Sequence, residues 1–134
     1  MVTMHNPKSL FNVDLCGGMP AVLIKMLVDS RTGDLELLPA LPRQWPTGRI
    51  EGVRCRGQIL LEKLEWKEQV IAVALKSAIS QKIILRTPSG IHSIDVKSGN
   101  ATVEEKVLQD GGRILALPAG GDVSIEIHLA IEDP

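Results

Sequence analysis

The chain has 134 residues and a mass of 14.5 kDa, which is the size of one domain. Apolar residues make up 44% of it, too many for a disordered chain, and its 15 basic and 16 acidic residues leave a net charge of -1. Because the two signs are interspersed, the sequence shows no basic cluster that would bind nucleic acid or an anionic membrane. Only three residues are aromatic, which argues against single-strand nucleic-acid binding and against an independent sugar-binding module.

Cysteine and histidine usage gives no sign of a disulfide framework or a bound metal. Cys16 and Cys55 lie in no CxxC pair, so we expect two reduced, partly buried thiols, with a bridge between them as the alternative. The histidines are scattered at His5, His92 and His128, and we expect neither metal nor cofactor. The N-terminus MVTMHNPKSL has no apolar signal-peptide core and no apolar run approaches about 18 residues, so the sequence predicts a soluble chain and assigns no compartment.

The N-terminal part of the chain predicts one helix. Residues 1–17 read as irregular, and Met19–Ser30 reads as a helix with Pro20 in its first turn and Gly33 just past its end. Only Lys25 and Asp29 interrupt its apolar residues, which go almost all the way round. A helix that is apolar on every face is typical of the interior of a larger body.

After Gly33 the pattern changes to short strands separated by turns. The predicted strands are Asp34–Pro42, Arg49–Arg56, Ile59–Lys67, Val70–Lys76, Lys82–Arg86, Ile91–Lys97, Thr102–Gln109, Arg113–Leu117 and Asp122–Ile131. In the last of them, apolar residues alternate strictly with polar or small ones, which predicts one buried face made of Val123, Ile125, Ile127 and Leu129. The sequence therefore predicts a mainly β fold, an antiparallel two-sheet β-sandwich preceded by one apolar helix.

The residues offer few candidates for chemistry. The chain contains no GxSxG, P-loop, HExxH or GxGxxG motif, and His92 and His128 read as ordinary surface residues on strands. Asp14 is the carboxylate that stands out, because it lies between apolar neighbours just before the predicted helix, whose N-terminus favours the ionised form. A helix-capping or loop-bracing role is the structural alternative for Asp14.

Two stretches carry a resemblance to a known family. FNVDLCGGMPAVLIKMLVDS is followed by GDLELLPALPRQWPTGRIEGVRCRGQ, and LLPALPxxW is a specific string. Together they resemble the C-terminal part of glycoside hydrolase family 95, the α-L-fucosidase-like enzymes, without a gap. The positions in register are Phe11, Asp14, Gly18, Ala21, Met26, Leu27, Ser30, Gly33, Leu37–Pro42, Trp45, Gly48, Gly52, Arg56, Gly57 and Trp66.

The resemblance implies an architecture and a chemistry for a parent enzyme. Such enzymes have an N-terminal β-domain, an (α/α)6 catalytic barrel and a C-terminal β-sandwich. Residues 1–32 would be the end of the barrel, with the helix as its remnant, and residues 33–134 the C-terminal sandwich. Hydrolysis in the family is inverting, and Asp14 falls on its catalytic aspartate. The glutamate acid and the asparagines would lie upstream, and Leu15-Cys16-Gly17 replaces the family's Gly-Asn-Phe.

Three functional hypotheses follow. The first is a C-terminal fragment of an α-L-fucosidase-like hydrolase, inactive alone, which acts on carbohydrate only within its parent. Its partner would be the rest of that parent, or a second copy bound through helix 19–30. We expect it to bind neither nucleic acid nor a membrane. The second is a stand-alone sandwich that serves as an accessory or interaction module. The third is the C-terminal sandwich of a disaccharide phosphorylase, for which the sequence shows no basic or hydroxyl cluster that would hold phosphate. Family members are often secreted or periplasmic.

Overall fold

The computed structural model describes residues 4–6, 10–11 and 21–130. Two short strands, β1 and β2, pair antiparallel through Met4↔Phe11, residues 21–27 form helix α1, and ten further strands follow. No helix in these ranges is long and apolar enough to cross a membrane. The strands are β1 (Met4–Asn6), β2 (Leu10–Phe11), β3 (Val28–Arg31), β4 (Asp34–Leu37), β5 (Thr47–Cys55), β6 (Ile59–Lys67), β7 (Val70–Ser77), β8 (Gln81–Arg86), β9 (Ile91–Ser98), β10 (Thr102–Val107), β11 (Arg113–Leu117) and β12 (Asp122–Leu129).

The ten strands from β3 onward form two five-stranded sheets. The first has the order β10-β11-β8-β4-β3 and the second the order β5-β6-β7-β12-β9. The predicted fold class, a mainly β two-sheet sandwich preceded by a helix, is confirmed. One pair departs from the antiparallel expectation, because β4 runs parallel to β8 with Asp34 opposite Ile84. Such a pair joins strands that are far apart in sequence, which local patterning does not reveal.

The helix ends earlier than the sequence predicts. The expected helix ran to Ser30, but helical structure stops at residue 27 and Val28–Arg31 form β3, which pairs with β4 from Val28↔Leu37 to Arg31↔Asp34. The two strands are joined by Thr32 and Gly33, whose φ is 77°. Gly33 therefore serves a two-residue hairpin rather than a helix C-terminus, two roles that need the same left-handed backbone.

The core lies between the two sheets and follows the predicted alternation. On β12, Val123, Ile125 and Ile127 are at most 1% exposed, while Leu129 is half-buried and packs against the same core. The facing sheet contributes Leu35 and Leu37 of β4, among others. The two sheets, together with Leu27 at the end of helix α1 and Leu38 after β4, close a continuous apolar core. Burial of such a core is the main source of folding free energy in a domain of this size.

A β-bulge on β6 keeps both halves of that strand in register with the core. Leu61 and Leu64 are both fully buried although they are three positions apart, and the pairing with β7 shifts between Leu61 and Lys63. A bulge inserts one extra residue, so the residues before and after it face the same side. The irregular spacing of ILLEKLEW is therefore compatible with one buried face.

Candidate functional site

The catalytic candidate Asp14 lies outside the residues that the structure describes, as does Cys16, whereas His5 lies on the short strand β1. Its assignment to the family's aspartate stays a prediction. The division of the chain into residues 1–32 and 33–134 also stays a prediction, since no feature of the described strands identifies a catalytic barrel. The candidate sites described below consist of side chains from residues 21–130.

The loop between β4 and β5 is hydrogen-bonded to the end of helix α1. We call residues 38–46, with the sequence LPALPRQWP, the proline loop. The N–H groups of Leu38 and Ala40 donate to the carbonyl oxygens of Leu27 and Met26, at 2.7 and 3.1 Å. These bonds satisfy carbonyl groups that the end of a helix otherwise leaves unpaired. The position of the proline loop is thereby coupled to the position of the helix.

Two tryptophans and a glycine fix the other end of the proline loop. Gly48 of β5 lies opposite Trp66 of β6, and a Cβ atom on Gly48 would approach Cζ2 of the Trp66 ring to 2.2 Å. The Trp66 ring therefore occupies the space that a side chain at position 48 would need. Its Nε1–H donates to the carbonyl oxygen of Trp45 at 3.0 Å. Trp45, Gly48 and Trp66 are all positions of the family resemblance, and together they hold this end of the loop. We call these three residues the clamp.

A cleft of about 450 Å³ opens beneath the proline loop. We call it the proline-loop cleft. Leucines and prolines of the loop form one wall, and Trp66, Ile71 and Leu129 contribute from the second sheet. Its polar and aromatic lining residues are Arg43, Trp45, Glu68, Thr87 and Ser89. Glu68 is the single carboxylate among the residues that line this cleft.

A second cleft gathers positive charge between the edge strands β3 and β5. Lys25, Arg31, Arg54 and Arg56 line it together with one carboxylate, Asp29. The backbone N–H of Arg56 donates to Oγ of Ser30 at 3.1 Å and so joins the two sheets at this edge. The four cations are all exposed, so water screens them strongly. The sequence does not predict this cluster, because its members come from the helix, from β3 and from the end of β5 and the turn after it.

The exposed face of the second sheet holds a three-residue cluster. Nε2 of His128 lies 3.0 Å from Oε1 of Glu126 and 3.3 Å from Oδ2 of Asp95, on the adjacent strands β12 and β9. The histidine nitrogen and the two carboxylate oxygens, all of which could coordinate a metal ion, lie within 4.8 Å of one another. The sequence predicted an ordinary surface histidine here and missed its carboxylate neighbours, because Asp95 and His128 are far apart in the chain. His92 is exposed on β9, as predicted.

Cys55 is a half-buried free thiol at the end of β5. Burial raises its pKa above the ordinary 9.0, although hydrogen bonds with the Ser30 side chain and the Leu61 backbone lower it in part. A raised pKa leaves less of the reactive thiolate at neutral pH. The expectation of a free, partly buried thiol is confirmed for Cys55.

Comparisons with known proteins agree with this picture of a sandwich domain. A family model described as glycoside hydrolase family 95, C-terminal domain, matches residues 29–125, which begin in β3 and end in β12. Alpha-L-fucosidase 2 of Arabidopsis thaliana is 38% identical over 86 residues, an alignment that covers 56% of this chain and 10% of that relative. The chain thus spans about a tenth of the length of the curated relative it matches. Because the family model matches well over half of the chain, the chain belongs to glycoside hydrolase family 95 through the C-terminal domain of that family.

Proposed function

We propose that this chain is the non-catalytic C-terminal sandwich of an α-L-fucosidase-like glycoside hydrolase and does not hydrolyse fucosides alone. In the parent, a separate catalytic barrel would perform the inverting hydrolysis of terminal fucosyl or related linkages. The observation that carries the proposal is the family match over residues 29–125, which coincides with the sandwich. The carboxylates at the proline-loop cleft and around His128 also agree with the second half of the proposal.

Inverting hydrolysis needs two carboxyl groups, about 6.5–9.5 Å apart, on opposite sides of a sugar. The proline-loop cleft has one, Glu68. Asp95 and Glu126 converge on His128, and the two carboxylate oxygens and the histidine nitrogen lie within 4.8 Å of one another. This cluster lies on an open sheet face that does not enclose a sugar. Neither arrangement supplies an acid and a base with room for a water molecule between them. The proposal therefore assigns the general acid to the parent's barrel, and the general base to Asp14 in that parent.

Exposed apolar side chains on helix α1 support a partner for this domain. Val22 is 54% exposed and Ile24 is 38% exposed, and both lie on the element that precedes the sandwich. Because they are two positions apart in a helix, they point to different sides of it, so apolar surface is exposed on more than one side of the helix. Exposed apolar surface of this kind marks association sites. We assign this helix to contact with the rest of the parent enzyme, with self-association as the substitute when the domain is alone.

Two alternatives each rest on one observation. The closed core between the two sheets favours a stand-alone sandwich that serves as an interaction module. The basic cleft of Lys25, Arg31, Arg54 and Arg56 favours the phosphorylase alternative, since phosphorolysis needs a phosphate site. The coding sequence upstream of Met1 separates these alternatives. An in-frame barrel with a glutamate acid supports the hydrolase, and a promoter directly upstream supports the stand-alone module.

The proposal is tested with the purified chain and an aryl α-L-fucoside. We expect release of the aryl alcohol to stay at the level of a buffer control, for the chain and for Asp14→Ala alike. Added phosphate should not change the result, whereas a phosphorylase would require it. Turnover by the unmodified chain that Asp14→Ala abolishes would overturn the proposal, because the chain would then hold a complete catalytic site.

A further inference from the structure

We propose that the proline-loop cleft binds a neutral saccharide, as a site separate from any catalytic centre. This inference goes beyond the proposed function and does not depend on it, because it rests on the lining of the cleft alone. Its volume of about 450 Å³ lies within the range of about 300–1,000 Å³ that is usual for small-molecule sites. The cleft combines one exposed aromatic ring with several hydrogen-bonding side chains, a combination that suits a sugar ring.

Trp45 supplies the aromatic surface. It is 40% exposed and lines the cleft, whereas the neighbouring Trp66 is only 5% exposed. Hydrogen bonds hold the backbone of Trp45 on both sides, since its N–H donates to the Pro42 carbonyl and its own carbonyl accepts from Nε1 of Trp66, each at 3.0 Å. A surface held in place before binding loses little conformational entropy when the ligand arrives. The low aromatic content of the sequence is therefore no obstacle to binding, because one ring suffices for one sugar.

The polar lining offers both donors and acceptors without a net charge. Arg43 and Glu68 have opposite charges, both are exposed, and within the described residues neither forms an ion pair. Ser89, which also lines the cleft, adds a hydroxyl group. A phosphate or an acidic peptide would favour a net positive lining, as in the basic cleft. Balanced charge beside hydroxyl groups instead favours a neutral ligand rich in hydroxyls.

Thr87 provides an independent indication of a ligand. It lines the cleft and is 8% exposed, and its Oγ1 is buried without a hydrogen-bond partner in the described chain. A buried hydroxyl without a partner costs about 1–3 kcal/mol, so native structures rarely keep one without a reason. A sugar hydroxyl that enters the floor of the cleft would supply the missing partner.

Backbone conformation is also unusual around this cleft. Three non-glycine residues of the described chain have positive φ, and two of them, Leu38 and Glu68 with φ of 54° each, line the cleft. Residues held in this left-handed region cluster at ligand sites, where the surrounding structure maintains them. Leu38 lies at the helix end of the loop, and Glu68 lies at the clamp end, where its N–H donates to the carbonyl oxygen of Pro46 at 3.2 Å.

The test uses the full chain labelled with ¹⁵N and three sugars, L-fucose, D-galactose and D-glucose, each titrated to about 100 mM. Trp45 and Trp66 are the two tryptophans of the sequence, so two indole N–H signals report on the cleft. With at least one sugar, we expect the Trp45 signal to shift and saturate with a Kd in the millimolar range, about -4 kcal/mol or weaker. Thr87→Val should weaken this binding about five- to tenfold, since it removes one hydrogen-bonding group.

Matched variants separate a site from general solvent effects. Thr102→Val makes the same change at an exposed position of β10, and it should leave the Kd unchanged. Trp45→Ala should abolish the saturable shifts of the backbone signals around the cleft. The inference is overturned if no sugar shifts the Trp45 signal saturably, or if Thr87→Val and Thr102→Val bind equally well. The fucoside assay of the proposed function is unaffected by either outcome, so the two failures are distinguishable.

Discussion

Helix α1 and strand β12 differ in what happens to their apolar side chains. On β12, Val123, Ile125 and Ile127 are at most 1% exposed, because a second sheet covers the strand on its apolar face. On the helix, Val22 and Ile24 are 54% and 38% exposed, and Leu27 is buried at the end next to the sandwich. The core of the sandwich thus includes the last residue of the helix, and the rest of the helix reaches beyond that core. This difference is what one expects where a self-contained domain meets the rest of a larger enzyme.

The largest expected effect is on the free energy of unfolding, when one apolar side chain is shortened in each of the two regions. Ile127→Ala removes a side chain with no exposed surface and should lower the free energy of unfolding by about 2–5 kcal/mol, because it leaves a cavity in the core. Val22→Ala changes an exposed side chain and should lower the free energy by less than about 0.5 kcal/mol. Urea unfolding of the monomeric chain measures both. Equal losses would show that the helix belongs to the same cooperative core.

The clamp beneath the proline loop should give a smaller but specific effect. Gly48→Ala places a Cβ atom 2.2 Å from the Trp66 ring, and the ring has to move. We expect a loss of about 1–3 kcal/mol, typical of overpacking, together with a shift of the Trp66 indole signal.

Gly121→Ala is the matched control for this substitution. A Cβ atom there would meet Cγ of Pro118 at 3.4 Å, an ordinary contact, so the change should be tolerated with little loss of stability. If Gly48→Ala were as well tolerated as Gly121→Ala, the clamp would have no role in holding the loop.

Strand patterning could be predicted from the sequence because alternation is a local property. The apolar positions of β12 all fall on one face, and turn glycines mark most strand ends. The boundary between helix and β3 was predicted wrongly, since Val28 continues the apolar run and Gly33 suits either a helix end or a hairpin. Pairing between distant strands decided the outcome there, through β4, and no local signal encodes it.

The candidate sites could be predicted only in part, for the same reason. Trp45, Gly48 and Trp66 were recognised as positions of the family pattern, but the packing of the Trp66 ring on Gly48 appears only in three dimensions. The basic cleft and the Asp95, Glu126 and His128 cluster join residues from separate strands. The unpartnered Thr87 hydroxyl has no sequence signal, because a threonine at a strand end is ordinary.

Sedimentation velocity of the chain over a range of concentrations tests the central claim most directly. We predict association that grows with concentration through the exposed apolar side chains of the helix, and a monomer when Val22→Lys and Ile24→Lys are combined. The matched control, Val107→Lys, changes a residue that is 51% exposed on β10 and should associate as the unmodified chain does. An unmodified chain that stays monomeric at all concentrations, with the amides of residues 21–27 as protected from hydrogen exchange as those of β12, would contradict the account.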